Sequence, residues 1–186
     1  MNYRIIALIL LPLLFLYTRP RYLLHLPTLP VYDNDEAEIV LMKSKNRTIM
    51  DERFFALTDP SVIYAFVGHV EESEETLRKM ITSPLIMGII FFFKYVINRP
   101  RPYQINNDIK PLDSKTGDTP AMPAGHAFQA YYLASVLSKV YPKKKQLFSN
   151  IAKRCDMVRV KGGIHYPSDG KLSKNIVDLM TKIGIF

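Results

Sequence analysis

The chain has 186 residues, 48% of them hydrophobic, with 10 Phe and 11 Tyr, which is enough to bury the core of one domain and excludes a mainly disordered chain. Its single cysteine, Cys155, excludes an internal disulfide framework and any multi-cysteine metal site, and reads as a buried spectator thiol. The net charge of +8 is uneven: residues 1–93 carry 9 Lys+Arg against 11 Asp+Glu, and residues 94–186 carry 16 against 6.

A basic second half suits anionic partners such as phosphate esters, anionic lipid headgroups or nucleic acid, or it is simply a solvated surface; charge alone does not decide. Apolar residues fall in helix-length blocks rather than alternating stretches, and there are only 8 Gly, so an all-α domain is expected.

In chain order, residues 5–17 form an apolar run behind the basic start Met1-Asn2-Tyr3-Arg4. No small-x-small cleavage site follows, so residues 1–20 read as an uncleaved signal anchor in preference to a cleaved signal peptide. The run is short of a comfortable span of about 20 residues, and a buried helix is the plainer alternative. Pro20, Pro27 and Pro30 mark an extended stretch, and residues 21–49 read as a linker to a helical domain at 50–186. The protein is then membrane-associated through one N-terminal segment, or exported if that segment is cleaved. The sequon Asn46-Arg47-Thr48 has meaning only if the domain is luminal.

Residues 51–70 read as short helices, and Glu71-Glu72-Ser73-Glu74-Glu75 places acids where the next helix begins, at its positive end. A helix over 84–98 is apolar up to Lys94, and is too short and too broken for a clear membrane span. Residues 98–123 read as loop, followed by helices at 126–140, 146–160 and 167–183. Lys143-Lys144-Lys145 is a solvated turn between helices, with a lipid-headgroup contact the weaker reading.

Three clusters at helix ends can carry chemistry. Lys94 and Arg101-Pro102 could both reach a phosphate, Arg as a planar fork and Lys as a point charge, although cations capping a helix end would look the same. Pro123-Ala124-Gly125-His126 delivers a histidine at a helix start, where backbone N–H groups bind anions; an ordinary exposed His is the alternative. His165 and Asp169, four apart, share a face if helical. The carboxylate can then hold one imidazole nitrogen and leave the other free to attack, or the pair is a structural hydrogen bond. Arg159 precedes them, separated by Gly162-Gly163. His25 and His69 lie outside these clusters, and nothing in the chain suggests a dedicated metal site or a cofactor.

In this order, Lys94-x6-Arg101-Pro102, Pro123-Ala124-Gly125-His126 and Arg159-x5-His165-x3-Asp169 resemble the tripartite signature of the type-2 phosphatidic acid phosphatase superfamily. That group includes bacterial acid phosphatases and vanadium haloperoxidases, and the resemblance covers roughly residues 50–183. It implies an all-α helical bundle with the site at one end of its helices, and a metal-independent phosphatase acting through a phosphohistidine. His165 would be the nucleophile, Asp169 its orienter and His126 the general acid; Lys94, Arg101, Arg159 and the Gly125 N–H would hold the phosphate. The substrate would be a phosphorylated small molecule or lipid, with no nucleic acid partner. Two rivals are a vanadium-dependent haloperoxidase, for which the chain is short, and a non-catalytic anion- or headgroup-binding relative. The pattern is broken at Ala124 and Val158, where serines are usual; losing a donor to phosphate costs about 1–3 kcal/mol if uncompensated.

Overall fold

The computed structural model describes residues 35–186. Among them every regular element is helical: α1 (Asp35–Lys45), α2 (Ile49–Thr58), a 3-10 turn (Val62–Ala65), α3 (Glu74–Ile81), α4 (Pro84–Ile97), α5 (Pro102–Ile105), α6 (Gly125–Val140), a second 3-10 turn (Pro142–Lys144), α7 (Lys145–Lys161) and α8 (Pro167–Lys182). The chain is thus an all-α bundle. The segment read as an anchor, and residues 21–34 of the stretch read as a linker, lie outside the described residues.

The linker reading needs one correction. Residues 35–45 are helix, not linker, and the domain begins before residue 50. Asp35, Glu36 and Glu38 occupy the first turn and Lys43 and Lys45 the last, so the side-chain charges complement the helix dipole. Ala37 and Val40 then pack against Ile109, Ala121, Val160 and Tyr166.

Local chemistry accounts for the remaining ends. Thr48 and Asp51 form a capping box at the start of α2. Ser73 accepts from the Thr76 N–H at 3.2 Å and opens α3, so only Glu74 and Glu75 of the acidic run lie inside that helix. Pro84 sits in the first turn of α4, and Asn98, left-handed at φ 50°, ends it.

The core is built around α6, whose Ala127, Ala130, Leu133, Ala134 and Leu137 are buried at helical spacing. One side meets Val62, Ile63 and Phe66 of the first 3-10 segment, Leu77 and Ile81 of α3, and Phe148, Ala152 and Cys155 of α7. Cys155 is free and buried, and burial pushes its thiol up to about 12, consistent with an inert role. On another side Phe128 packs with Ile86 and Ile90 of α4 and Ile176 and Val177 of α8. This arrangement puts the start of α6, the end of α4 and the start of α8 at one end of the bundle.

No single described helix is long and apolar enough to cross a membrane; Glu74–Ile81 with Pro84–Ile105, meeting at 43°, passes the length and composition test only as a bent pair. The membrane-length candidate among the described residues therefore lies well after the N-terminus, and includes the helix that the sequence reading took as too short and too broken for a clear span.

Helices α7 and α8 meet at a carboxylate. A Cβ on Gly170 would stand 1.9 Å from Asp156 Oδ1, so a larger residue there would have to displace the Asp156 carboxylate. Asp156 Oδ2 accepts from the Tyr131 hydroxyl at 2.9 Å, Oδ1 has no hydrogen-bond partner among the described residues, and burial pushes the carboxyl up to about 6. Since that lies above the unfolded value of 3.8, the unfolded chain ionises first as pH rises, and ionised Asp156 disfavours the fold increasingly up to about pH 6. Asp156→Asn should gain stability relative to the parent between pH 4 and 6, by up to about 3 kcal/mol, and then level off. Urea unfolding across that range checks this; a difference independent of pH contradicts it.

Candidate active site

At the shared helix end lies a cavity of about 160 Å³. Lys94, Arg101, Gly125, His126 and His165 line it, with Met87, Ile90 and Phe91 forming an apolar wall along α4. Five of the seven residues singled out from sequence are therefore brought to one cavity from four separate stretches of chain. A larger groove of about 620 Å³ contains none of the seven, and shares only Asp118 and Thr119 with the smaller cavity.

Lys94 reaches the site from the last turn of α4, and its Nζ donates to the Pro120 carbonyl. After the left-handed Asn98, the Arg99-Pro100-Arg101-Pro102 turn fixes Arg101 in extended conformation before α5. The Arg101 guanidinium is buried and donates to the carbonyls of Thr119 at 2.8 Å, Ile164 at 2.8 Å and Thr116 at 3.0 Å. Its Nη1 also lies 2.9 Å from His165 Nε2.

That contact settles the imidazole tautomer. A guanidinium has only donors, so His165 Nε2 accepts and carries no proton, and Nδ1–H donates to Asp169 Oδ2 at 3.0 Å. The same Asp169 oxygen accepts the Tyr166 N–H at 2.9 Å, which anchors the carboxylate in the first turn of α8. Asp169 stands behind His165 and does not line the cavity. Burial, then the charge of Arg101, holds the His165 imidazolium well below its ordinary range; burial raises the Asp169 carboxyl, with Arg99 the largest opposing influence.

His126 follows Gly125 in the first turn of α6, and its Nε2–H donates to the Asp59 carbonyl at 2.9 Å. Burial, then the nearby Arg159 charge, lowers it to about 3. Both site histidines are thus neutral at neutral pH.

Arg159, expected to hold phosphate, does not line the cavity. It is fully buried, donating to Asp59 Oδ1 at 2.9 Å and Thr58 Oγ1 at 2.6 Å, with its plane 4.3 Å from the Phe55 ring centroid. Its Nε has no hydrogen-bond partner among the described residues, and burial lowers the group to about 10.

Ala124 and Val158, where serines were expected, are both buried. Val158 packs with Phe55 and Ile164, so an apolar contact replaces the hydroxyl. The Ala124 carbonyl accepts from Ser173 Oγ at 3.0 Å, tying α6 to α8.

The sequence reading missed Asp59 and Thr58, which are 100 and 101 residues from the arginine they hold. No spacing rule links such positions, and Asp59-Pro60 read only as a break between short helices. It also missed Arg99, taken as part of a turn, and Glu36, placed in the linker. Among the described residues, no three His, Cys, Asp or Glu side chains are grouped to hold a metal ion.

A family profile described as the PAP2 superfamily matches residues 77–173. Among solved structures, a transmembrane PAP2-type phosphatidylglycerolphosphate phosphatase from Bacillus subtilis is similar over 98% of each chain, with 18% identity and a TM-score of 0.51. At that identity the likeness is one of fold. A search of the curated proteins found no match.

Removing the Asp59 carboxylate leaves Arg159 buried and unpaired. Asp59→Ala should therefore lower unfolding free energy by about 3 kcal/mol or more, with Asp59→Asn intermediate because its side-chain carbonyl still accepts. Denaturant unfolding measures both. Equal stability of Asp59→Ala and the parent would show that Arg159 does not need this partner.

Proposed function

Because this chain belongs to the PAP2 superfamily, we propose that it is a phosphoric ester hydrolase acting through a phosphohistidine, without a metal, on a phosphomonoester or a lipid phosphate or diphosphate. The observation that carries this reading is the His165 ring: Nδ1–H is committed to Asp169, and the Nε2 lone pair faces Arg101 at the wall of a cationic cavity. An imidazole held this way is a nucleophile waiting for an electrophile that Arg101 can bind.

In this mechanism Lys94, Arg101 and the Gly125 N–H take the phosphate oxygens, and Arg159 adds positive potential from its place beside His126. The transferring group spreads negative charge over its equatorial oxygens, which fixed donors in a dry site stabilise strongly. The entering dianion offsets the cations that keep His126 neutral, so His126 takes up a proton as substrate binds. His165 Nε2 forms a bond to phosphorus in line as the ester P–O bond breaks, and His126 gives its proton to the departing oxygen. Water then attacks the phosphohistidine and returns a proton to His126, which releases phosphate and restores both rings. Without the two serine hydroxyls, the rate is expected to suffer more than the chemistry.

The apolar cavity wall of Met87, Ile90 and Phe91 supports a lipid phosphate, and the exposed Leu85, Phe92 and Val96 on the opposite face of α4 support association with a membrane. The phosphatidylglycerolphosphate named for the similar structure supports the same side of the substrate range. Residues 1–20 remain the proposed anchor.

Rapid quenching at alkaline pH with radiolabelled substrate should trap an acid-labile adduct that His165→Ala lacks; ordinary turnover by His165→Ala would sink the nucleophile assignment. Dialysis against a chelator should leave the rate unchanged, whereas a collapse restored by magnesium would contradict the metal-independent mechanism.

A further inference from the structure

We infer that Arg99, clamped by Glu36 of α1, is a positioning residue for the His165–Asp169 pair; this rests on the proposed nucleophile. Arg99 is 1% exposed, and its fork is divided between two carboxylates. Nη1 donates to Asp169 Oδ1 at 2.7 Å and to Ser168 Oγ at 2.6 Å, and Nη2 donates to Glu36 Oε2 at 2.7 Å. The guanidinium carbon lies 3.6 Å from the Tyr166 ring centroid, so the side chain is held on its face as well as its edge.

Two consequences follow from this geometry. The Asp169 oxygens have separate tasks: Oδ2 takes His165 Nδ1–H and Oδ1 takes Arg99, so the carboxylate cannot rotate away from the imidazole without losing an ion pair. The short turn between α4 and α5 grips both ends of the pair, with Arg101 on His165 Nε2 and Arg99 on Asp169. Glu36 secures the far side. It accepts the Ser168 N–H at 3.1 Å, and its other oxygen takes the Ser168 hydroxyl together with Arg99. A helix outside the matched family segment therefore joins the catalytic apparatus.

The effect on His165 has a definite sign. The groups facing His165 are Asp169 and, as cations or titrating neighbours, Arg101, Lys94, His126 and Arg159; those facing Asp169 are Arg99, Arg101 and the Tyr166 N–H, with Asp156 close by. Arg99 draws on the Asp169 charge and so disfavours an imidazolium at His165. Glu36 draws on Arg99 and moderates that influence.

The test uses the full chain, nitrogen-15 NMR of the His165 ring, and steady-state hydrolysis of para-nitrophenyl phosphate. Arg99→Gln should raise the His165 titration by about one pH unit, and Glu36→Gln, nearly isosteric, should lower it. Both should reduce kcat about tenfold or more with KM little changed, and Arg99→Lys should restore the titration but only part of kcat. Far-ultraviolet circular dichroism establishes folding; if Arg99→Gln does not fold, Glu36→Gln decides alone. Folded variants with parental titration and kcat within twofold would overturn the inference, as would an effect confined to KM. Absence of any turnover by the parent would instead strike the proposed function, and the ring titration would still test the positioning.

Discussion

A row of buried charge, Glu36–Arg99–Asp169–His165–Arg101, organises one end of the bundle, with each member within 3.0 Å of the next. Four of its five side chains are almost wholly buried, and an ionised group in such a place is tolerated only with opposite charge and hydrogen bonds around it. The signs alternate about the neutral imidazole, so no member can be moved without leaving a neighbour unpaired. That requirement brings α1, the turn between α4 and α5, and the first turn of α8 to one place. Hydrophobic burial holds the helices together, but it is non-directional and would tolerate other registers. The charge row does not.

A second set of contacts serves α6 in the same way. Asp59 uses its carboxylate for Arg159 and its carbonyl for His126, and its two carboxylate oxygens also take Ser114 Oγ at 2.7 Å and the Lys115 N–H at 3.2 Å. One residue thus fixes a cation, a histidine and the loop that borders the cavity. Lys94 and Arg101 are meanwhile held by backbone carbonyls of that loop and of Ile164. The cavity is organised before any anion enters, which is the condition under which fixed donors stabilise developing charge most effectively. Burial and the surrounding cations keep both histidines neutral, and this suits them to different tasks. In the proposed mechanism His165 needs a free lone pair, while His126 gains its proton only when negative charge arrives.

The segment matched by the family begins in α3, at residue 77. Among the described residues before it, α1 and the end of α2 nonetheless supply Glu36, Thr58 and Asp59 to the site. The family resemblance identifies the residues proposed to touch phosphate. The partners that fix their protonation and orientation come in part from helices whose sequence carries no such signature.

The sequence by itself determined the helical class, four of the long helices to within a residue or two, and the seven candidate site residues, five of which line one cavity. It could do so because helical periodicity and prolines at helix boundaries are local signals, and because the signature keeps its spacing along the chain. Helix α1 also carries a local signal, acids first and lysines last, which the reading of residues 21–49 as a linker did not use. Only the tertiary structure decided that Arg159 pairs with Asp59 rather than lining the cavity, that Asp169 stands behind His165, and that Arg99 and Glu36 belong with them. The pairings of Arg159 with Asp59 and of Arg99 with Glu36 and Asp169 join residues from 63 to 100 positions apart, and which buried charge meets which depends on how the helices pack, a property that no single stretch of sequence contains.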